Sequence, residues 1–228
     1  MSKKTFSKLL SEKFQISRKK AEEIIKNKKA LLNNKTEARP YIVIQSTDTI
    51  SLNQPIKKKI NIILFHKPKG CITSRSDEKN RTIIYDYLPK KLNHYHYIGR
   101  LDYNSEGLLL LTDSTVYKRK LESPKSNIKR VYVVNVIGSF NNLKLQSLNQ
   151  KIYAAKIYKN PHVSLTFSNK NKHTLRFELT EGKNREIRNI CEIFNLKVER
   201  LKRISFGQYK VKSIPLGKYK EMIIHENN

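Results

Sequence analysis

Apolar residues recur every three to four positions near the start of the chain. Further on they recur every second position or in unbroken runs. In residues 5–14, Phe6, Leu9, Leu10 and Phe14 share one helical face. A second helix follows in "SRKKAEEIIKNKKA", with Ser17 as its cap and Ala21, Ile24 and Ile25 inward. "ALLNNK" predicts a strand entering a turn at Asn33 and Asn34, and "YIVIQSTDTISLN" is strand-like, β-branched sequence. This pattern predicts a mini-domain over residues 1–56, with "QPIKKK" at 54–59 as a linker.

From Ile60 the pattern changes. "INIILFHKPKG" reads as a strand running into a turn, "TIIYDYLP" as a short apolar segment open to helix, and "HYIGRLD" as strand then loop. "EGLLLLT" is a near-continuous apolar run, which fits a buried strand. "KRVYVVNVIG" alternates as a strand. "SFNNLKLQSLNQK" predicts a helix with Leu143, Leu145 and Leu148 in the core. "HVSLTFS" and "HTLRFELTEG" predict paired strands. "GKNREIRNICEIFNL" predicts a helix over 184–194, with Ile187, Ile190, Cys191 and Phe194 inward and Gly182 as the tight turn before it. Strands in runs without βαβ alternation predict an α+β fold with a mainly antiparallel sheet over 60–228.

Charge narrows the function. Lys and Arg number 47 against 19 acidic residues, a formal net charge of +28. Coding bias towards lysine inflates such a count, but bias raises neutral Asn as readily, so a polyanionic partner is expected. Residues 1–60 alone hold 15 Lys and Arg against 5 acidic residues. No apolar run reaches the roughly 20 residues of a membrane span, so no membrane partner is expected. "MSKKTFSKLLSEKF" lacks the apolar core and cleavage site of a secretory signal. Cys71 and Cys191 are too few for a disulfide framework and lack metal-ligand spacing, which fits a reducing cytoplasm. His94 and His96 share a strand face without carboxylate or thiol company and read as surface residues.

Familiar catalytic signatures are missing, among them the phosphate loop, the dinucleotide fingerprint, H-E-x-x-H, the nucleophile elbow and the C-x-x-C of a zinc deaminase. One carboxylate stands out. Asp102 lies in a loop between the strand ending near Gly99 and the apolar strand starting near Gly107. A carboxylate there can serve as nucleophile or base if it is shielded and paired so that it stays ionised. Arg185, Arg188, Asn189 and Glu192 form the polar face of the 184–194 helix and offer it a partner. Spacing alone leaves a salt-bridged surface loop open as the alternative.

"GRLDYNSEGLLLLT" resembles the active-site motif of the RsuA/RluB/RluE/RluF family of ribosomal-RNA pseudouridine synthases. "HKPKG", "KRVYVV", "TEGKNREIRNIC" and the closing "RLKRISFGQYKV" and "IPLGKYKEM" resemble its other motifs, in the family's order. "SRKKAEEIIKNKKALLNNK" is similar to the S4 RNA-binding module. The resemblance implies an S4-like domain over 1–56 and a synthase domain over 60–228. It implies breakage of the uridine C1′–N1 bond, rotation of the base and rejoining through C5, without metal or cofactor. Asp102 is then the catalytic aspartate, Tyr132 packs on the flipped base, and Arg188 pairs with Asp102. Lys67 and Arg100 contact phosphate or support the loop. Arg18, Lys19, Lys20, Lys183 and Arg185 join them as RNA-binding residues.

Several positions depart from the family pattern. His66 replaces a frequent Asn, Ser105 a common Thr, and Asn189 the second Arg of an Arg-Arg pair; Asp113 does not carry over. Glu186 and "VIGSFNNLKLQSL" lean towards the RluB branch, hence a uridine of the 23S large-subunit RNA, and a monomer is expected. A small-subunit 16S enzyme, a non-catalytic S4-type assembly factor and a basic RNA chaperone are the alternatives.

Overall fold

The computed structural model describes residues 4–53, 57–150, 152–153, 157–158 and 161–227. The chain divides into two units, residues 1–59 with 225–228, and residues 60–224.

In the first unit, β1 (Lys4–Thr5) runs into α1 (Phe6–Phe14) and α2 (Arg18–Lys26). Four short strands follow: β2 (Ala30–Leu32), β3 (Lys35–Thr36), β4 (Val43–Ile44) and β5 (Ile50–Leu52). β1 pairs with β4, and β3, β2 and β5 form a small sheet. The Ser17 hydroxyl accepts from the Lys20 amide at 3.2 Å and starts α2. Asn33 and Asn34 take left-handed φ values of 50° and 64°, which closes the β2–β3 turn. Phe6, Leu10, Ala21, Ile24, Ile25, Ala30, Ile44 and Ile50 fill the core, so the helical spacing of the sequence is the spacing of burial. Residues 54–56 of the expected linker lie outside the described residues. Lys57–Lys59 are not linker but the start of a strand.

The second unit is organised by one sheet. Its strands are β6 (Lys57–Lys67), β7 (His96–Ile98), β8 (Glu106–Thr112) and β9 (Arg130–Ile137). After the short pair β10 (Ile152–Tyr153) and β11 (Ile157–Tyr158) come β12 (His162–Asn169), β13 (Lys172–Leu179), β14 (Lys197–Phe206), β15 (Tyr209–Lys210) and β16 (Tyr219–Asn227). The order is β12-β13-β9-β14-β8-β6-β16, with β15 beside β14 and β7 beside β8. β14 and β8 run parallel and join two otherwise antiparallel blocks. The fold is α+β with a mixed sheet, as the pattern predicts.

Helices cover both sheet faces. On one face, Leu109, Leu111, Val134, Leu175, Phe177 and Leu201 pack with Ile187, Ile190 and Cys191 of α5 (Glu186–Ile193). On the other, Ile62, Leu64, Leu108 and Leu110 pack with Tyr117 and Leu121 of α3 (Thr115–Glu122). Successive β8 side chains point to opposite faces, both buried, which explains the unbroken leucine run. α3 was not foreseen. Most of its residues are polar, and the Ser114 hydroxyl caps it at the Tyr117 amide. α4 (Asn142–Leu148) buries Leu148 and partly buries Leu145, but Leu143 is 70% exposed and is no core residue.

One row across the sheet positions the site. Lys67 of β6 pairs with Gly107 of β8, Gly107 with Arg203 of β14, Arg203 with Tyr132 of β9, and Tyr132 with Phe177 of β13. Gly107 has φ +113°, and a Cβ there would stand 2.2 Å from the Arg203 carbonyl oxygen. Only glycine lets β8 and β14 approach this closely. Gly107→Ala is expected to cost about 3 kcal/mol from overlap and backbone strain. For a chain of this size that lowers Tm by roughly 6–12 °C, read by a thermal melt. An unchanged Tm would show that the parallel seam is not tight.

Candidate active site

The loop carrying Asp102 leaves β7 at Gly99, which has φ +61°. The Glu122 carboxylate of α3 accepts from the Gly99 amide at 2.8 Å, and the Lys118 ammonium donates to the Tyr97 carbonyl at 2.7 Å. Beyond Gly99 each carbonyl from 101 to 105 has a donor. The Thr73 hydroxyl donates to the Leu101 carbonyl (2.8 Å), and the Gly70 amide to that of Tyr103 (2.9 Å). Arg188 Nη2 donates to the Asn104 carbonyl (2.8 Å). The Asp102 carbonyl accepts from the Ser105 amide (3.0 Å) and from Lys67 Nζ (3.1 Å). Lys67 Nζ also donates to the carbonyls of Ser105 and Pro68, each at 3.0 Å. Such a loop has little freedom left, and it presents the Asp102 side chain half-buried. Among the described residues no hydrogen bond or ion pair engages the Asp102 carboxylate.

The structure revises two sequence expectations. Lys67 is fully buried and its three donors are spent on carbonyls, so it supports the loop and does not contact RNA. Burial pulls its pKa down to about 8, against the opposing pull of the Cys71 thiol and the Asp102 carboxylate. Arg188 reaches the Asp102 loop from α5, as expected, but its hydrogen bond goes to the Asn104 carbonyl. Among the described residues no ion pair joins it to Asp102. Burial and the like charge of Arg185 lower the Arg188 pKa, and the nearby Asp102 carboxylate raises it. The two side chains therefore share one neighbourhood without direct contact. Arg188 Nε is buried without a partner.

The other expected residues fall into two places. Tyr132 is 9% exposed on β9, in the row that holds Lys67. Arg100, Lys183 and Arg185 are exposed near the ends of the Asp102 loop and α5. Lys183 pairs with Glu181 and lies 5.6 Å from the Tyr158 ring centroid. Arg185, not Gly182, takes the left-handed turn before α5, with φ 52°. In the first unit Arg18, Lys19 and Lys20 are exposed at the start of α2; Arg18 lies 3.9 Å from Glu22 and Lys20 2.9 Å from Glu23.

Some site residues escaped the sequence reading. Arg203 is 2% exposed, and its Nε donates to the Leu108 carbonyl at 2.7 Å. Its signal was parity, since it stands two positions from Leu201 on an alternating strand and so points inward. Thr73 and Glu122, which hold the ends of the loop, lie in segments with no such signal. Asp113 accepts from the Asn61 amide and side chain and only braces β6. The His66 ring lies against the Ile214 carbonyl at 2.7 Å. Burial pushes the thiols of Cys71 and Cys191 up to about 11 and about 12, which makes both poor nucleophiles. No cluster of His, Cys, Asp or Glu among the described residues could hold a metal. The usable chemistry is one carboxylate on a rigid loop, surrounded by cations and an aromatic ring.

Known proteins resemble this chain in sequence and fold. A sequence model of the RNA pseudouridylate synthase family matches residues 61–192. The chain is 35% identical over 223 residues to an uncharacterized RNA pseudouridine synthase of Rickettsia typhi, covering 95% of this chain and 90% of that one. It is 32% identical over 215 residues to the ribosomal large subunit pseudouridine synthase B of Bacillus subtilis, covering 92% and 88%. A solved pseudouridylate synthase superposes with TM-score 0.64 at 21% identity, covering 96% and 95%, which establishes a shared fold. Two thirds of the sheet, the whole Asp102 loop and nearly all of α5 lie inside the matched segment, and the chain belongs to the RNA pseudouridine synthases of the RsuA/RluB type.

Proposed function

We propose that this enzyme acts on a uridine of ribosomal RNA, in the large subunit, with Asp102 as the group that meets the ribose. The Asp102 loop carries this reading: its backbone is tied at every carbonyl from 101 to 105, while nothing among the described residues engages its carboxylate. That geometry suits a side chain kept for substrate. The target base leaves its stack to reach the carboxylate. The Asp102 carboxylate bonds to C1′ as the C1′–N1 bond breaks with its electron pair on N1; the base turns, C5 bonds to C1′ as the carboxylate leaves, and a proton is lost from C5 while one is taken up on N1. Arg188 and Lys67 hold the loop and keep positive charge beside Asp102. Tyr132 packs on the flipped base.

The first unit, residues 1–56, serves as an S4-like RNA-binding domain, and residues 60–228 as the synthase domain. Support for the RNA-binding role comes from the exposed Arg18, Lys19 and Lys20 at the head of α2, and support for a large-subunit target from the name of the Bacillus subtilis relative. Arg100, Lys183 and Arg185 contact phosphates around the flipped nucleotide. Pseudouridine mapping of both ribosomal RNAs, with and without this protein, separates a large-subunit target from a small-subunit one. A loss of signal confined to the small subunit would overturn the large-subunit reading.

Three outcomes test the assignments. Asp102→Asn is nearly isosteric and should form no detectable pseudouridine in a single-turnover assay. RNA affinity should survive, because phosphate contacts supply most of it. Ordinary turnover by this variant would remove Asp102 from the chemistry.

Lys67 makes a pH prediction. Its folded-state pKa of about 8 lies below the ordinary 10.5. The cost of the buried charge is therefore fully present below pH 8 and is relieved as pH rises towards 10.5, so folding stability rises across that window. Activity moves the other way. A neutral amine donates only two N–H groups, so one of the three carbonyls loses its donor and the rate falls as pH passes about 8. Lys67→Met should be slow at every pH. A flat wild-type pH–rate profile between pH 7 and 9 would contradict this role.

The third outcome concerns salt. Replacing Arg18, Lys19 and Lys20 together by Ala should weaken binding to an rRNA stem-loop and make log K against log salt shallower by roughly 2 units, at 0.7–0.9 per phosphate contact. The maximal rate at saturating RNA should change little. An identical salt slope would reassign this face to protein contacts.

A further inference from the structure

Arg203 is an anomaly. Its side chain sits at the seam of the sheet and is 2% exposed. Nε has the Leu108 carbonyl as acceptor, but Nη2 is buried with no protein partner. Among the described residues no carboxylate pairs with it. The Phe206 ring centroid lies 5.3 Å from its Cζ, and Arg130 approaches the same ring at 4.8 Å. Sequestering a guanidinium with neither an anion nor a full set of acceptors costs several kcal/mol. The Leu108 carbonyl and the Phe206 ring offset part of that cost, and Nη2 remains unpaired among the described residues.

Its position points to substrate. In the sheet row Arg203 stands between Gly107 and Tyr132, and Lys67 stands on the other side of Gly107. Lys67 binds the Asp102 carbonyl, so Arg203 is two strands from the residue that holds the Asp102 loop and one strand from Tyr132. The terminal donors of the neighbouring cations are engaged, although Arg188 Nε is not. Lys67 spends all three donors on carbonyls, and Arg188 Nη2 is on Asn104. Arg203 is the cation of this group with a buried guanidinium NH₂ group unspent.

We propose that Arg203 is a further catalytic residue of the isomerisation: its Nη2 donates to a carbonyl oxygen of the target uracil and stabilises the charge that the base carries once C1′–N1 breaks. When the bond pair leaves with N1, the detached uracil bears one negative charge shared among N1, O2 and O4. Once the entering base uncovers it, a guanidinium held in a low-dielectric wall meets that charge with a donor that no protein acceptor has taken. When C5 bonds to C1′ and the hydrogen of C5 is replaced by one on N1, the base is neutral again and Arg203 is unchanged. A phosphate is a poorer candidate, since it would have to shed its hydration for a single buried donor, whereas the flat edge of a base can lie beside Tyr132. The inference rests on the reading of Asp102 as the group that meets the ribose.

The test is single-turnover consumption of the target nucleoside in an rRNA stem-loop carrying uridine or 5-fluorouridine. The proteins are wild type, Asp102→Asn, Arg203→Gln and Arg203→Lys. Removing one such donor should slow the uridine reaction of Arg203→Gln by about 10²–10³-fold. Arg203→Lys, which keeps the charge without the fork, should lose less. Fluorine withdraws electrons and itself stabilises the departing base, so the loss on 5-fluorouridine should be smaller by about tenfold, or 1.4 kcal/mol. RNA affinity and Tm should stay near wild type. Equal slowing on both nucleosides would overturn the proposal, as would weakened RNA binding with an intact maximal rate. Failure of both Arg203 variants to fold would also overturn it, by making Arg203 a structural cation. Turnover by Asp102→Asn would sink the reading of Asp102 instead, whatever the Arg203 variants do.

Discussion

The structure around the candidate active site depends on one buried ammonium. Lys67 Nζ binds the carbonyls of Pro68, Asp102 and Ser105 at 3.0–3.1 Å. Hiding that charge from water is costly, as its lowered pKa records. The cost is offset because every N–H of the ammonium meets an oxygen and each such bond is charge-assisted. In exchange, a loop from one side of the sheet is fastened to the end of β6. Without a donor of this reach, carbonyls of the loop would face the interior unpaired, and the loop would have to open towards solvent.

Gly107 is the complementary constraint. It allows the one parallel pairing, β8 with β14, to close to a distance that no side chain would permit. That seam joins the β12-β13-β9-β14 block to the β8-β6-β16 block and so sets Tyr132 and Arg203 in one row with Lys67. α5 adds the third side. Its apolar residues Ile187, Ile190 and Cys191 fix it on the sheet face, and the same turn of helix delivers Arg188 to Asn104. Buried packing therefore places the polar groups, and the polar groups hold the loop.

The resulting electrostatics are unbalanced. Lys67, Arg188 and Arg203 lie around the Asp102 loop, and among the described residues no ion pair or hydrogen bond engages the Asp102 carboxylate. Glu106, at the start of β8, is already taken by Arg200 at 2.6 Å. Surplus positive charge in a dry wall is unfavourable for the protein alone and favourable for any step that places negative charge on a bound base. The exposed basic surface acts at longer range, where it concentrates a polyanion.

The sequence by itself determined much of the scaffold and the identity of the chemistry. The i, i+3, i+4 spacing of α2 and α5 and the alternation of β9 and β13 are local patterns of burial, and a linear reading recovers them. The unbroken leucines of β8 announced a strand buried on both faces. The Asp102 loop was legible as the connection between two strands because its motif is contiguous. Sequence periodicity did not extend to α3, whose mostly polar residues carry only a thin apolar stripe, and it misplaced Leu143 because helix spacing does not say where a core ends. Only the tertiary structure decided the partners. A lysine in a polar turn looks like a phosphate ligand until the loop that needs its three donors is folded over it. Arg188 looks like the mate of Asp102 until the Asn104 carbonyl proves to be within its reach. Arg203 gave no more than its parity, because its meaning lies in contacts across strands far apart in sequence. Hydrophobic periodicity is a property of neighbours along the chain, whereas the satisfaction of a buried charge is a property of neighbours in space.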